Sequence, residues 1–203
     1  MDIIFATGNA DKVKEFRRIL GGAKIGGEDV YVYSMKDKDI HLDIVEDGQT
    51  FLENAMIKAH AVAEVAPGAI VLADDSGLCV DYLNGEPGIY SARYMGDHTS
   101  YSIKNANIIE RLNGVADEER GAQFVCAIAA VLPNGRELET VKKMEGRIGY
   151  EERGSNGFGF DPIFYTPPYN RSNSELNPDE KDAISHRGKA LRHMKELLEQ
   201  AFA

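Results

Sequence analysis

The chain has 203 residues, of which 33 are acidic and 23 are basic, so its formal net charge is −10. This excess of negative charge argues against a general nucleic acid binder, and the longest apolar run, residues 124–132, is too short to span a bilayer. The chain opens directly on a strand-like segment, which predicts no signal peptide. Its two cysteines, Cys79 and Cys126, are expected to be free thiols in a cytoplasmic protein.

Strand-like and helix-like segments alternate along the chain, which predicts an α/β fold. In chain order the predicted elements are strand 3–6, helix 11–20, strand 30–33, helix 50–65, strand 69–73, strand 78–83, helix 100–112, strands 123–132 and 137–145, and helix 186–200. Residues 153–178 are rich in Gly, Pro, Asn and aromatics and predict a long ordered loop. The whole chain, 1–203, is interpreted as a single domain, in one or two lobes.

Two adjacent aspartates, Asp74 and Asp75, follow the predicted strand 69–73. Desolvating two like charges is costly unless a cation compensates, and strand ends in α/β sheets are common ligand sites. Carboxylate oxygens suit Mg²⁺, with Glu46 as a candidate second metal ligand. Asp-Asp-Ser-Gly is also ordinary turn chemistry, so this stretch alone leaves a metal site and a solvated turn both open.

A second motif, Thr7-Gly8-Asn9-Ala10-Asp11-Lys12, lies between the first strand and the first helix. Helix N-termini present backbone N–H groups and a partial positive charge, which suits phosphate. Gly8 allows close backbone approach and Lys12 adds a full charge. The plain alternative is a helix that Asn9 simply caps.

Two later motifs are suited to a purine base. Glycines flank Phe158, on which a base can stack, and Asp161 can bond to the base edge. Lys181, His186 and Arg187 donate hydrogen bonds, and donors favour a keto oxygen over an amino group. The plain alternatives are an aromatic-anchored loop and surface charge. Together the four motifs predict a purine nucleoside triphosphate as substrate.

Six motifs resemble those of the inosine/xanthosine triphosphate pyrophosphatase (Ham1-like) family, in the family's order and over essentially the whole chain. They are Thr7-Gly8-Asn9-(x₂)-Lys12, Thr50-Phe51-(x)-Glu53-Asn54-Ala55-(x₂)-Lys58-Ala59, Ala73-Asp74-Asp75-Ser76-Gly77-Leu78, Pro87-Gly88-Ile89-Tyr90-Ser91-Ala92-Arg93-Tyr94, Gly157-Phe158-Gly159-Phe160-Asp161-Pro162-Ile163-Phe164 and Ser185-His186-Arg187-Gly188.

The resemblance implies Mg²⁺-dependent hydrolysis of XTP, ITP and dITP to the monophosphate and pyrophosphate. It implies a mixed β-sheet flanked by helices, two lobes with a central cleft, and a homodimer that binds neither nucleic acid nor membrane. Asp75 is then the general base and, with Glu46, a metal ligand. The implied substrate-binding residues are Thr7, Gly8, Asn9, Ala10, Asp11, Lys12, Lys58, Ser76, Arg93, Phe158, Gly159, Phe160, Asp161, Lys181, His186 and Arg187. Phe160 departs from the tyrosine of many members, which puts in doubt only a hydroxyl bond.

Two other functions fit the same motifs. A nucleotide-sensing protein with this pocket would bind ITP without turnover, although it would not need a carboxylate beside a metal. A pyrophosphatase for modified pyrimidine nucleotides would turn over dTTP or UTP as well as dITP. Pyrophosphate release from a panel of nucleotides separates all three hypotheses.

Overall fold

A computed structural model describes residues 1–167 and 170–203. Strands and helices alternate, which confirms the predicted α/β class. The strands are β1 (Asp2–Phe5), β2 (Lys24–Ile25), β3 (Glu28–Asp29), β4 (Tyr31–Ser34), β5 (Ile70–Val80), β6 (Gly121–Val131), β7 (Glu137–Ile148), β8 (Phe164–Thr166) and β9 (Arg171–Ser172). The helices are α1 (Ala10–Leu20), α2 (Phe51–Val65), α3 (Tyr101–Arg111), α4 (Pro178–Ile184) and α5 (His186–Ala201).

The chain divides into two compact units, and three long strands run through both. The first unit comprises residues 1–75, 126–142 and 187–203, and the second comprises residues 76–125 and 143–186. Each of the strands β5, β6 and β7 has one part in the first unit and the rest in the second. The prediction of a single domain over 1–203 stays a prediction.

In the first unit the strand order is β4-β1-β5-β6-β7, and β1 is parallel to both β4 and β5. Successive side chains of a strand point to opposite faces. Ile70 and Leu72 of β5 accordingly pack with α1 and α5 on one face, whereas Val71 and Ala73 pack with α2 on the other. The sheet of this unit therefore has two separate apolar cores, one for each face.

The two helices that matter most for the site begin at capped residues. Asn9 is the N-cap of α1, and its Oδ1 accepts from the N–H groups of Asp11 and Lys12 at 2.9 and 3.2 Å. Thr50 Oγ1 accepts from Glu53 N at 3.1 Å and starts α2. Both caps confirm the helix starts expected from the sequence.

The second unit contains the remaining parts of β5, β6 and β7, followed in the sheet by β8 and β9. Its apolar core includes Leu78, Ile108 and Phe164. Arg120 is 1% exposed and donates to the carbonyls of Leu112, Ile148 and Gly149. The buried guanidinium thus has backbone carbonyls as hydrogen-bond acceptors.

Two expectations about chain organisation are wrong. The predicted strands 69–73 and 78–83 are not separated by a turn, because β5 runs unbroken over Ile70–Val80 and places both aspartates within the strand. The alternative that Asp74 and Asp75 form a solvated turn is therefore wrong. Residues 153–178 also hold two short strands, β8 and β9, although Pro168 and Tyr169 lie outside the described residues. No helix among the residues described has the length and apolar character that crossing a membrane requires.

Candidate active site

Asp74 lies on β5 within a buried ion-pair network of the first unit. Its side chain has no exposed surface, and Lys12 Nζ lies 3.0 Å from each carboxylate oxygen. Arg187 Nε donates to Asp74 Oδ2 at 3.4 Å, and Arg187 also bonds to Glu15. Burial opposes ionisation, but Lys12 and Arg187 outweigh it and hold the pKa of Asp74 far below its usual range. Asp74 is therefore an ionised carboxylate that forms ion pairs with Lys12 and Arg187.

Arg187 is 3% exposed and contacts the carboxylates of Glu15 and Asp74 in the first unit. Burial alone would lower the pKa of the guanidinium, but the charges of Glu15 and Asp74 raise it above its usual value. The predicted contact of Arg187 with a base edge stays a prediction. Glu15 had no predicted role, although an acidic residue between the buried Val13 and Phe16 of α1 is a usable signal of an ion pair.

Asp75, the next residue of β5, faces α2 and has quite different neighbours. Asn54 Nδ2 donates to Asp75 Oδ2 at 3.2 Å, and Lys58 Nζ lies 3.8 Å from Oδ1. Burial, helped by the charges of Asp74 and Glu46 and opposed by Lys58 and Lys12, raises the pKa of Asp75 to about 6. A carboxylate with this pKa is suited to accept a proton near neutral pH.

Lys58 joins two carboxylates on the α2 side of the first unit. Its Nζ lies 2.6 Å from Glu46 Oε2 as well as 3.8 Å from Asp75 Oδ1. The structure therefore brings Glu46 and Asp75, both predicted metal ligands, around one shared cation. No group of three or more His, Cys, Asp and Glu side chains suited to a metal occurs among residues 1–167 and 170–203.

The predicted phosphate loop is exposed at Gly8, Asn9 and Ala10. Asn9 N donates to Thr7 Oγ1 at 3.2 Å, so the hydroxyl and the cap hold the loop in one conformation. The Asp11 carboxylate lies 2.9 Å from Lys14 Nζ at the surface. A cavity of about 840 Å³ in the first unit borders this loop and is also lined by residues 34–37 and 40–43.

In the second unit, Asp161 organises the predicted base-binding loop from inside. It is 3% exposed, and its Oδ2 accepts from Phe158 N at 2.9 Å and from Lys181 Nζ at 2.7 Å. Asn173 donates to Oδ1 at 3.2 Å. A Cβ at Gly157, whose φ is +75°, would lie 2.4 Å from Asp161 Oδ2, so this position requires glycine.

The two phenylalanines of this loop differ in accessibility. Phe158 is half-buried, and Lys181 Nζ lies 4.9 Å from the centre of its ring. Phe160 is 3% exposed and meets Tyr101 edge-to-face with ring centres 5.3 Å apart. Phe158 is thus the ring with surface left for stacking. Gly159 lies beside Tyr101 and is half-buried.

The remaining predicted substrate residues lie in the second unit. Ser76 is half-buried on β5, and Arg93 is exposed with its guanidinium 5.0 Å from the Tyr90 ring centre. His186 is 5% exposed and stacks on Phe124 at 4.8 Å between ring centres. Their contacts with a nucleotide stay predictions.

A model of the Ham1 family matches residues 3–197. This chain belongs to the Ham1 family. The proteins named dITP/XTP pyrophosphatase from Clostridium perfringens and Bacillus licheniformis are 44% and 45% identical to it. The first alignment covers 96% of each chain, and the second covers 98% of this chain and 99% of the relative.

Solved structures of the Ham1 family have the same fold. The Ham1 protein of Staphylococcus aureus has a TM-score of 0.85 at 36% identity, covering 99% of this chain and 100% of that one. A HAM1 protein from Coxiella burnetii has a TM-score of 0.84 at 38% identity, covering 98% and 99%. Membership of the family, predicted from six motifs, and the mixed sheet flanked by helices are both confirmed.

Proposed function

We propose that this Ham1 family chain hydrolyses XTP, ITP and dITP to the monophosphate and pyrophosphate. The observation that carries the proposal is Asp75, a largely buried carboxylate whose pKa is raised to about 6 and which shares Lys58 with Glu46. A nucleotide-binding protein without turnover has no use for such a group. The names of the relatives from Clostridium perfringens and Bacillus licheniformis support the substrate class.

Asp75 is the proposed general base. A water oxygen forms a bond to the α-phosphorus while its proton passes to the Asp75 carboxylate. The bond from the α-phosphorus to the bridging oxygen breaks, and pyrophosphate leaves with the electron pair. Asp74 is unsuited to this role because Lys12 and Arg187 hold its pKa too low for it to keep a proton.

Mg²⁺ is the proposed cofactor, held by Asp75 and Glu46. Mg²⁺ is usually bound through one or two carboxylates, with waters and substrate phosphates as its other ligands. Two carboxylates that share the Lys58 ammonium match this donor set. When bound, the ion neutralises charge on the phosphate oxygens. Lys58, Lys12 and the exposed Arg93 are the proposed cations for the polyphosphate.

Base selection is proposed to rest on Phe158, with Lys181 and His186 as hydrogen-bond donors. A half-buried ring offers a stacking surface. A donor facing the purine 6-position accepts a keto oxygen and leaves an adenine amino group mispaired, which is costly where both are buried. This predicts preference for XTP and ITP over ATP.

We also propose a cytoplasmic homodimer that acts on small nucleotides and binds neither nucleic acid nor membrane. The net charge of −10 disfavours polyanions, and the free thiols of Cys79 and Cys126 suit a reducing compartment. Exposed Tyr82, Tyr90 and Ile103 in the second unit supply apolar surface for a partner copy. Sedimentation equilibrium tests the dimer.

The deciding experiment is a turnover panel of XTP, ITP, dITP, GTP, ATP, dTTP and UTP, with and without Mg²⁺. Monophosphate and pyrophosphate should appear in equal amounts from the first three nucleotides, and only with the metal. Binding of ITP without turnover would indicate a sensor. Comparable rates with dTTP, UTP and dITP would indicate a pyrimidine-directed enzyme, and release of orthophosphate would refute cleavage at the α-phosphorus.

A further inference from the structure

Helix α2 presents two polar side chains, Asn54 and Lys58, four residues apart and hence on one face. Both bridge the same two parts of the first unit. Asn54 contacts Asp75 and Gly48, and Lys58 contacts Asp75 and Glu46. The segment that carries Glu46 is therefore joined to Asp75 twice, once through an amide and once through an ammonium.

The contact between Asn54 and Gly48 is close. Gly48 N donates to Asn54 Oδ1 at 2.8 Å, and Asn54 is 1% exposed. A Cβ at position 48 would lie 2.7 Å from Asn54 Oδ1 and 2.8 Å from Glu53 Cβ. The absence of a side chain at Gly48 is what allows the backbone to reach the amide.

A carboxamide carries both the acceptor and the donor that the two bonds of Asn54 require. Its oxygen accepts from Gly48 N, while its nitrogen donates to Asp75 Oδ2 at 3.2 Å. An ionised carboxylate at position 54 could accept but not donate, and a leucine could do neither. The adjacent Glu53 makes a separate contact, because its Oε2 accepts from Gln49 N at 2.6 Å.

We propose that Asn54 is a positioning residue for the reaction. Its amide fixes the orientation of the Asp75 carboxylate and ties the Glu46-bearing segment, residues 46–48, to that carboxylate. This inference rests on the proposed role of Asp75 as general base. A carboxylate displaced from its productive orientation loses much of its effectiveness, and small displacements can lower turnover by about 10²-fold.

The test uses two variants that separate the two bonds, and a matched control on the same helix turn. Asn54→Leu removes both bonds, Asn54→Asp keeps only the acceptor for Gly48 when it is measured above the pH at which its carboxyl ionises, and Glu53→Ala removes the contact with Gln49. Two measurements are made: amide hydrogen exchange at residues 48 and 49 in metal-free protein by NMR, and kcat and KM for ITP with Mg²⁺. Retention of the wild-type near-UV circular dichroism shows that each variant folds.

We expect Asn54→Leu to speed exchange at Gly48 and to lower kcat by about 10–100-fold, with KM changed much less. Asn54→Asp should keep slow exchange at Gly48 yet lose a similar factor in kcat. Glu53→Ala should speed exchange at Gln49 while kcat stays within about threefold of wild type. Asn54→Asp keeps the test decisive if the leucine variant does not fold.

The proposal is overturned if both Asn54 variants keep wild-type kcat, or if the Gly48 amide exchanges as fast in wild type as in Asn54→Leu. An equal fall of kcat in Glu53→Ala also overturns it, because general tethering of the segment would then explain the loss. Full turnover by Asp75→Asn would instead refute the proposed base. If instead Asp75→Asn is inactive while both Asn54 variants turn over normally, only the positioning role of Asn54 is refuted.

Discussion

The two faces of β5 in the first unit hold adjacent aspartates in opposite electrostatic surroundings. On the face covered by α1 and α5, Asp74 and Glu15 are balanced by Lys12 and Arg187. On the face covered by α2, Lys58 Nζ lies 2.6 Å from Glu46 Oε2 and 3.8 Å from Asp75 Oδ1. Lys12 and Arg187 hold the pKa of Asp74 far below its usual range, whereas burial and the charges of Asp74 and Glu46 raise the pKa of Asp75 to about 6.

This difference in pKa separates two adjacent aspartates, of which the family resemblance implies Asp75 as the general base. Asp74, which contacts Lys12 and Arg187, stays ionised at any ordinary pH, so its role is to bind these two cations. Asp75, with its raised pKa, holds a proton more readily, which suits a base, and its carboxylate oxygens suit Mg²⁺. Four predictions break or sharpen this contrast.

The largest effect is expected from Asp75→Asn. An amide cannot take the proton from water, so kcat for ITP should fall by about 10²–10⁴-fold. The fold should persist, because asparagine has the same shape and retains hydrogen-bonding groups for Asn54. Steady-state kinetics with pyrophosphate detection measures the loss, and circular dichroism provides the control. Wild-type turnover in a folded variant would remove Asp75 from the role of base.

On the opposite face, Asp74→Ala should act on stability. Removal of this carboxylate takes away an anion that both Lys12 and Arg187 contact in a buried site, and breaking a buried pair costs about 3–5 kcal/mol of unfolding free energy. Urea denaturation at pH 7 measures the change. A cost below about 1 kcal/mol for Asp74→Ala would show that the network is solvated.

Sequence patterns were sufficient to predict most of the helices and strands that surround the two aspartates. Periodicity and cap residues predicted α1 and α2, with Asn9 and Thr50 at their starts, since both signals are local. The predicted strands 123–132 and 137–145 likewise correspond to β6 and β7. The motif set also predicted the family, which the match over residues 3–197 confirms.

Tertiary contacts account for what the sequence did not predict. Asp74 owes its burial to Lys12 and Arg187, which lie 62 and 113 residues away along the chain. Local turn chemistry in Asp-Asp-Ser-Gly favoured a break, but sheet pairing and these ion pairs keep β5 continuous. The inward direction of Asp161 likewise depends on Lys181, 20 residues away. Side-chain partners of this kind carry no local signal.

The pH dependence of stability in metal-free protein should distinguish the two faces. Since folding raises the pKa of Asp75 from 3.8 to about 6, its favourable contribution is present below pH 4 and is lost as the pH rises through 6. Asp75→Asn should therefore be more stable than wild type at pH 8, by about 3 kcal/mol, with the difference gone at pH 4. Folding lowers the pKa of Asp74, so its contribution is present above pH 3.8 and is lost as the pH falls through the folded value. Urea titrations at several pH values provide the test, and a difference independent of pH would contradict the assignment.

The smallest effects are expected at the helix caps, where α1 and α2 again offer a matched pair. Asn9→Ala and Thr50→Ala each remove the side-chain acceptor of a first-turn N–H, which should cost about 1 kcal/mol of stability in either helix. Asn9 also belongs to the exposed loop proposed to contact phosphate, whereas Thr50 has no proposed contact with substrate. Only Asn9→Ala should therefore raise KM for ITP, by about fivefold for one lost hydrogen bond. Equal KM values for the two variants, at equal losses of stability, would restrict Asn9 to capping α1 and leave the phosphate contacts to the rest of the loop.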